Sequence, residues 1–397
     1  MTPSRDAARV PGPPLPLSVL TGFLGAGKTT LLNRLLRDPG LADTAVIINE
    51  FGEVGLDHLL VEQVDEGVVL LSTGCLCCTM RGDLVEALER LLRNLDNGRA
   101  AFSRVIIETT GLADPAPVLH TTMVHPYLVM RYRLDGVIAV VDAVNGAATL
   151  EAHPEAVKQA AVADRIVLTK TDLVCDAHAG ALRTLMLRLR TLNPAAPILD
   201  AAAGEAVAAH LFDCGLYDPA TKTPDVRRWL AAEAYADAQG AVQGPSENDR
   251  HGEHSHDPNR HDARIRAFCL STDAAIPASA FEMFLDLVRS MHGPKLLRMK
   301  GVVKVAETPH TPMVVHAVQH LMHPLARLPA WPDSDERTRI VFIVRDIDPR
   351  TISELFDAFL GAAAPDRADR AAIADNPRVP FGGIDRCNLG YPEWVRV

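Results

Sequence analysis

Residues 17–32 read LSVLTGFLGAGKTTLL, and the reading of this stretch decides the fold. Residues 17–20 are an aliphatic run of strand length, glycines at 22, 25 and 27 interrupt it, and a helical pattern begins at Lys28. Gly22, Gly27, Lys28 and Thr29 satisfy G-x-x-x-x-G-K-[ST] in the strand–loop–helix setting that gives the motif its meaning. Glycines let successive backbone N–H groups curl around phosphate oxygens, and the N-terminus of the following helix adds a favourable dipole. Gly22, Phe23, Leu24, Gly25, Ala26, Gly27, Lys28, Thr29 and Thr30 are therefore the candidate phosphate cradle. Lys28 is expected to bridge the β- and γ-phosphates and the Thr29 hydroxyl to ligate Mg²⁺. A glycine-rich turn that only joins a strand to a helix is the plain alternative, but a chance match is rare in a chain this poor in lysine.

Outward from that stretch, short aliphatic runs alternate with helical patterns as far as about residue 200. Strands are expected at 17–20, 45–48, 68–71, 104–107, 136–141 and 165–168, and helices at 28–37, 84–95, 155–163 and 179–192. Leu84, Leu88, Leu91, Leu92 and Leu95 repeat at the spacing of one buried helical face. Strand and helix in alternation imply an α/β fold with a mostly parallel sheet covered on both sides, since parallel strands need crossover helices. Residues 1–14 read as a loose tail, 15–235 as this α/β domain, and 236–262 as a polar, His-rich flexible linker. A smaller α+β domain is expected over 263–397, with strands at 265–270, 295–305, 312–318 and 340–344 and helices at 278–291 and 350–360.

Composition narrows the function. The 397 residues are 48% hydrophobic and 23% charged, an ordinary globular balance that excludes wholesale disorder. A net charge of -10 disfavours a general nucleic-acid binder. No apolar run approaches the ~18 residues of a membrane helix, and the prolines at 11–16 interrupt any signal-peptide core, so a cytoplasmic protein is expected. The odd total of 7 cysteines argues against a disulfide framework.

Two further strand ends carry chemistry. Residues 169–172 read TKTD after a strand, close to the N-K-x-D of guanine recognition: the Asp172 carboxylate would accept from guanine's ring N–H and amino group, and the Lys170 stem would pack over the base. Thr169 stands where that pattern has Asn. Residues 108–115 read ETTGLADP. An acid at the C-terminal end of a strand in such a fold lies beside the phosphate loop. Glu108 is expected to hold Mg²⁺ through water and the Gly111 N–H to contact the γ-phosphate, so that the loop relaxes on hydrolysis.

Cys75, Cys77 and Cys78 fall within GCLCC, just after the strand at 68–71. Such crowding is better explained by thiolate ligation of Zn²⁺ or Cu(I) than by core packing, with a redox-reactive loop as the competitor. Three ligands leave a position open, which suits a site that exchanges its metal.

Taken together, GFLGAGKTT, INEFGEVGLD (48–57), GCLCC, ETTGLADP and TKTD resemble the CobW-type P-loop GTPases, which are metal-linked GTPases and metallochaperones. The resemblance is strong over about 16–200, and KLLRMKG (295–301) is similar to that family's C-terminal domain. It implies binding and hydrolysis of GTP with Mg²⁺, a C-x-C-C metal motif at Cys75, Cys77 and Cys78, and a first switch containing Asn49, Glu50 and Glu53. Glu50 becomes an added metal-ligand candidate. The expected cargo is Zn²⁺, with Co²⁺ open, handed to a metal-requiring client protein when hydrolysis relaxes Glu50 and Gly111. With no glutamine or arginine finger placed by these motifs, turnover is expected to be slow.

His251, His254, His256 and His261 in the linker are candidate metal gatherers, against the plainer reading of a solvated polar segment. His316, His320 and His323 have helical spacing and suggest a partner face or a second site. A cobalt-directed role in cobalamin assembly or nitrile hydratase activation, a redox-sensing regulatory GTPase and an adenine-nucleotide enzyme are the rival readings. A nucleotide-dependent homodimer stays open.

Overall fold

The computed structural model describes residues 13–51, 68–73, 79–175, 178–212, 264–319, 321–322 and 325–360. Cys75, Cys77, Cys78, Glu53, His251, His254, His256, His261, His320 and His323 lie outside these residues, as do the side chains of Asn49 and Glu50. So does the whole expected linker.

The first part of the chain runs β1 (Leu15–Gly22), α1 (Lys28–Leu36), β2 (Thr44–Phe51), β3 (Val68–Thr73), α2 (Thr79–Asp96), β4 (Arg104–Glu108), α3 (Ala116–Val124), α4 (Leu128–Arg131), β5 (Tyr132–Asp142), α5 (Gly146–Ala152), α6 (Pro154–Val162), β6 (Arg165–Thr169), α7 (Ala179–Leu192), β7 (Ile198–Asp200) and α8 (Ala208–Leu211). The strands form one seven-stranded sheet in the order β3-β2-β4-β1-β5-β6-β7, and every pairing is parallel. Strand period sends neighbouring side chains to opposite faces. Leu17 and Val19 of β1 join Leu84, Leu88, Leu91 and Leu92 of α2, while Leu20 joins Leu31, Leu32 and Leu35 of α1. Both faces are therefore covered, which is why the strands read as near-continuous apolar runs. Parallel pairing also brings the C-terminal ends of β1, β2, β3, β4, β5 and β6 to one edge, where ligands gather in such sheets.

The second part runs β8 (Ile265–Thr272), α9 (Ala278–His292), β9 (Leu296–Val303), β10 (Met313–Val318), β11 (Leu321–Met322), β12 (Ala326–Arg327), β13 (Thr338–Arg345) and α10 (Pro349–Leu360). Its sheet is antiparallel, ordered β11-β10-β9-β13-β8 with β12 also on β10. In β13, Ile340, Phe342 and Val344 face the core under α9 and α10, and Val341 and Ile343 join the cluster that contains Ala161 and Val162 of α6. One face of this sheet thus holds its own helices and the other packs on the α/β part. At that junction Arg298 and Lys300 of β9 are buried and both donate to the Asp164 carboxylate, which also accepts from the Val137 N–H at 2.9 Å; Arg298 donates to the Val162 carbonyl as well.

His316 corrects one expectation. It sits in β10, a buried strand, so helical spacing does not gather it with His320 and His323 on one face. No helix among the described residues is long and apolar enough to cross a membrane.

Candidate functional site

The loop between β1 and α1 is shaped by its glycines. Gly22 has φ +145°, and a Cβ there would stand 2.4 Å from the Val140 carbonyl oxygen, so only glycine lets β1 end against β5 in this way. α1 starts after Gly27 with no side-chain cap, which leaves the N–H groups of its first turn directed at the loop. Lys28, largely buried, reaches back over the loop with Nζ 3.2 Å from the Phe23 carbonyl. The loop thus presents amides and one ammonium to a common space, the chemistry an anion requires.

Across that space lies the end of β4. The register Leu20↔Glu108 sets Glu108 beside the loop, and Thr29 Oγ1 donates to Glu108 Oε1 at 2.8 Å. Thr109 Oγ1 donates to Thr21 Oγ1 at 2.9 Å, which ties the next residue to β1. Gly111 packs so closely on Leu24 that a Cβ would lie 2.6 Å from its backbone nitrogen. The loop after β4 is therefore pressed onto the phosphate loop through its glycine. A hydroxyl and a carboxylate oxygen at contact distance form a hard-oxygen donor pair, which fits Mg²⁺ and does not suit a soft metal.

The TKTD segment ends β6 on the other side of the loop. Thr169 Oγ1 donates to the Ala26 carbonyl at 2.6 Å, so the residue that departs from the Asn of the general pattern still ties this segment to the phosphate loop. Lys170 adopts φ +59° and bridges, with Nζ 2.8 Å from the Gly25 carbonyl and 2.7 Å from Asp142 Oδ2. Burial alone would raise the Asp142 carboxyl. Lys170, the Asn145 side chain and the N–H groups of Val144 and Asn145 outweigh it and hold the group below the usual carboxylate range. Asp172 is exposed in the turn that follows. Thr171 Oγ1 donates to Asp200 Oδ1 at 2.6 Å, and the same oxygen accepts from the N–H groups of Ala202 and Ala203, which builds a wall next to Asp172. A cavity of about 260 Å³ is lined by Phe23, Leu24, Gly25 and Ala26 of the loop together with Asp142, Asn145, Gln159 and Lys170, whereas Lys28, Thr29 and Asp172 do not line it.

Residues 16–200 match the model of the CobW/HypB/UreG nucleotide-binding domain, and residues 265–360 match that of the cobalamin synthesis protein cobW C-terminal domain. The chain belongs to the CobW family. Among its relatives, the zinc chaperone YjiA of Escherichia coli is 44% identical over 50% of this chain and 61% of its own length. The zinc-regulated GTPase metalloprotein activator 1 of Schizosaccharomyces pombe is 36% identical over 45% of this chain and 44% of its own length. These matches thus cover about half of the relatives they touch. The crystal structure of zinc-bound E. coli YjiA GTPase superposes with a TM-score of 0.61 at 30% identity, covering 88% of this chain and 99% of that one.

In this CobW-family chain the backbone of Glu50 stands at the sheet edge that holds the nucleotide loops, while Cys75, Cys77 and Cys78 lie outside the described residues. β2 and β3 pair Glu50↔Ser72 and Phe51↔Thr73, so the backbone of Glu50 lies beside the strand end from which the Cys75 loop departs. Residues the sequence reading passed over are Asp142, the Asp200 loop and Gln159. Asp142 carried a usable signal, because it ends an apolar strand as Glu108 does. Gln159 carried none: its amide donates to the carbonyls of Gly111 at 3.2 Å and Ala113 at 3.0 Å, a contact made from another helix.

Proposed function

We propose that this CobW-family chain binds and hydrolyses GTP and carries zinc, held on Cys75, Cys77 and Cys78 with Glu50, and yields the metal to a client protein. The observation that carries the nucleotide half is the 2.8 Å contact between Thr29 and Glu108 at the head of the loop that Lys28 overhangs. Lys28 faces the β- and γ-phosphates, and Asp172 and Lys170 hold guanine. Thr29 and Glu108 would hold Mg²⁺, which neutralises charge on the β- and γ-oxygens. The Gly111 N–H senses the γ-phosphate, and its loop loosens from Leu24 when that group departs. Turnover is slow in this reading, because the nucleotide motifs place no glutamine or arginine finger to orient the attacking water.

The zinc half is supported by the relatives, a zinc chaperone and a zinc-regulated GTPase metalloprotein activator, and by the backbone of Glu50 standing beside the end of β3. The test is a zinc titration of the metal-free protein with and without a non-hydrolysable GTP analogue. Affinity is expected to differ about tenfold between the two states, a typical coupling between linked sites. Cys77→Ser is expected to weaken zinc uptake while GTP affinity holds. Equal zinc affinity in both nucleotide states would remove the switch from this reading.

A further inference from the structure

The loop that follows β4 is held from two directions. Asp114, near its end, accepts from the Ala116 N–H at 3.0 Å, from Lys158 Nζ of α6 at 3.2 Å, and from Gln319 Nε2 at 3.1 and 3.3 Å. Lys158 is followed by Gln159, whose amide holds the Gly111 and Ala113 carbonyls. The segment from Gly111 to Asp114 therefore hangs on α6 and on one side chain of the antiparallel sheet.

That side chain comes from an unusual place. Val318 and Leu321 pair across the tight turn between β10 and β11, and Gln319 occupies the turn with φ +53°. Turns this short demand positive φ and ordinarily take Gly, Asn or Asp, which bear it with less strain. Strain of this kind persists where the surroundings impose it and gathers at functional positions. Glutamine offers what the favoured residues lack, an amide on a longer stem, and that amide is the group that meets Asp114. The Gln319 N–H donates to the Leu297 carbonyl at 3.2 Å, fixing the turn to β9. β9 in turn grips Asp164, just beyond α6, through Arg298 and Lys300.

We infer that Gln319 is a positioning residue for the γ-phosphate loop: by holding Asp114 it makes the placement of Gly111 depend on the C-terminal domain. How sharply the site tells GTP from GDP is then tuned by a residue that touches neither. This inference rests on the GTP reading proposed above.

The experiment compares full-length wild type, Gln319→Gly, Gln319→Glu, Asp114→Asn and the Asp114→Asn/Gln319→Glu pair. The readouts are dissociation constants for GDP and for a non-hydrolysable GTP analogue, together with the thermal midpoint. Gln319→Gly relaxes the backbone, so its midpoint is expected to hold or rise, while affinity for the analogue falls about fivefold relative to GDP. Gln319→Glu sets two carboxylates face to face and is expected to lower the ratio further. In the paired variant a new amide donor faces the introduced carboxylate, so discrimination should recover above that of Gln319→Glu alone. A stabilised Gln319→Gly with an unaltered GTP-to-GDP ratio would reduce Gln319 to a turn residue and overturn the inference. Wild type that binds no guanine nucleotide would instead remove the reading beneath it, a result visible before any variant is made.

Discussion

Alanine at position 28 is expected to lower GTP affinity about 100-fold, close to 3 kcal/mol, with the fold intact. Lys28 is one of few buried cations among the described residues, and its Nζ has a backbone carbonyl, that of Phe23, within reach at 3.2 Å. Phosphate oxygens would replace that neutral acceptor with charged ones, and charge-assisted bonds are roughly twice as strong. The loop amides and the N-terminus of α1 survive the substitution, so binding should weaken rather than vanish. Titration with a fluorescent GTP analogue, beside a far-UV circular dichroism spectrum, checks both halves. Unchanged uptake with an unchanged spectrum would mean that the loop does not hold the triphosphate.

Thr29 and Glu108 illustrate what a sequence discloses well. Each belongs to a short motif at a strand end, and parallel pairing of β1 with β4 is enough to bring the two ends together. The replacement at Thr169 illustrates the opposite. The sequence shows a departure from the guanine pattern, but not that a hydroxyl would reach the Ala26 carbonyl from 143 residues away. Gln319 and Asp114 are separated by 205 residues and belong to no shared pattern, so only the packing of the two sheets reveals them. His316 fails for a related reason. Its spacing to His320 and His323 suits a helix, whereas the apolar residues around it suit the buried strand it occupies. The metal loop rests on a dense local motif, and its strength there owes nothing to long-range packing.

Asp164→Ala is expected to destabilise the protein by about 3–5 kcal/mol, because it would leave Arg298 and Lys300 buried at the junction without their counter-ion. Burial alone would raise the Asp164 carboxyl, but the two cations, the Lys300 hydrogen bond and the Val137 N–H outweigh it and hold it far below the usual carboxylate range. That contribution is present above the unfolded pKa of about 4 and is lost as pH falls through the folded value. Lys300 is pushed down to about 8, first by burial and then by Arg298, against the pull of Asp164. Its folded value lies below the unfolded one, so the unfolded chain binds more protons between about pH 8 and 10.4, and wild-type stability should rise across that window. The penalty in Asp164→Ala should therefore be larger at pH 7 than at pH 10, where one of the stranded cations has discharged. Urea unfolding at both pH values measures the difference. Replacing Asp164, Arg298 and Lys300 together with leucine, methionine and methionine should recover much of the lost stability, since apolar residues can substitute for a buried ion cluster. A loss below about 1 kcal/mol in Asp164→Ala would instead show that Val162, Leu297 and Val341 hold the two sheets together without help from the charges.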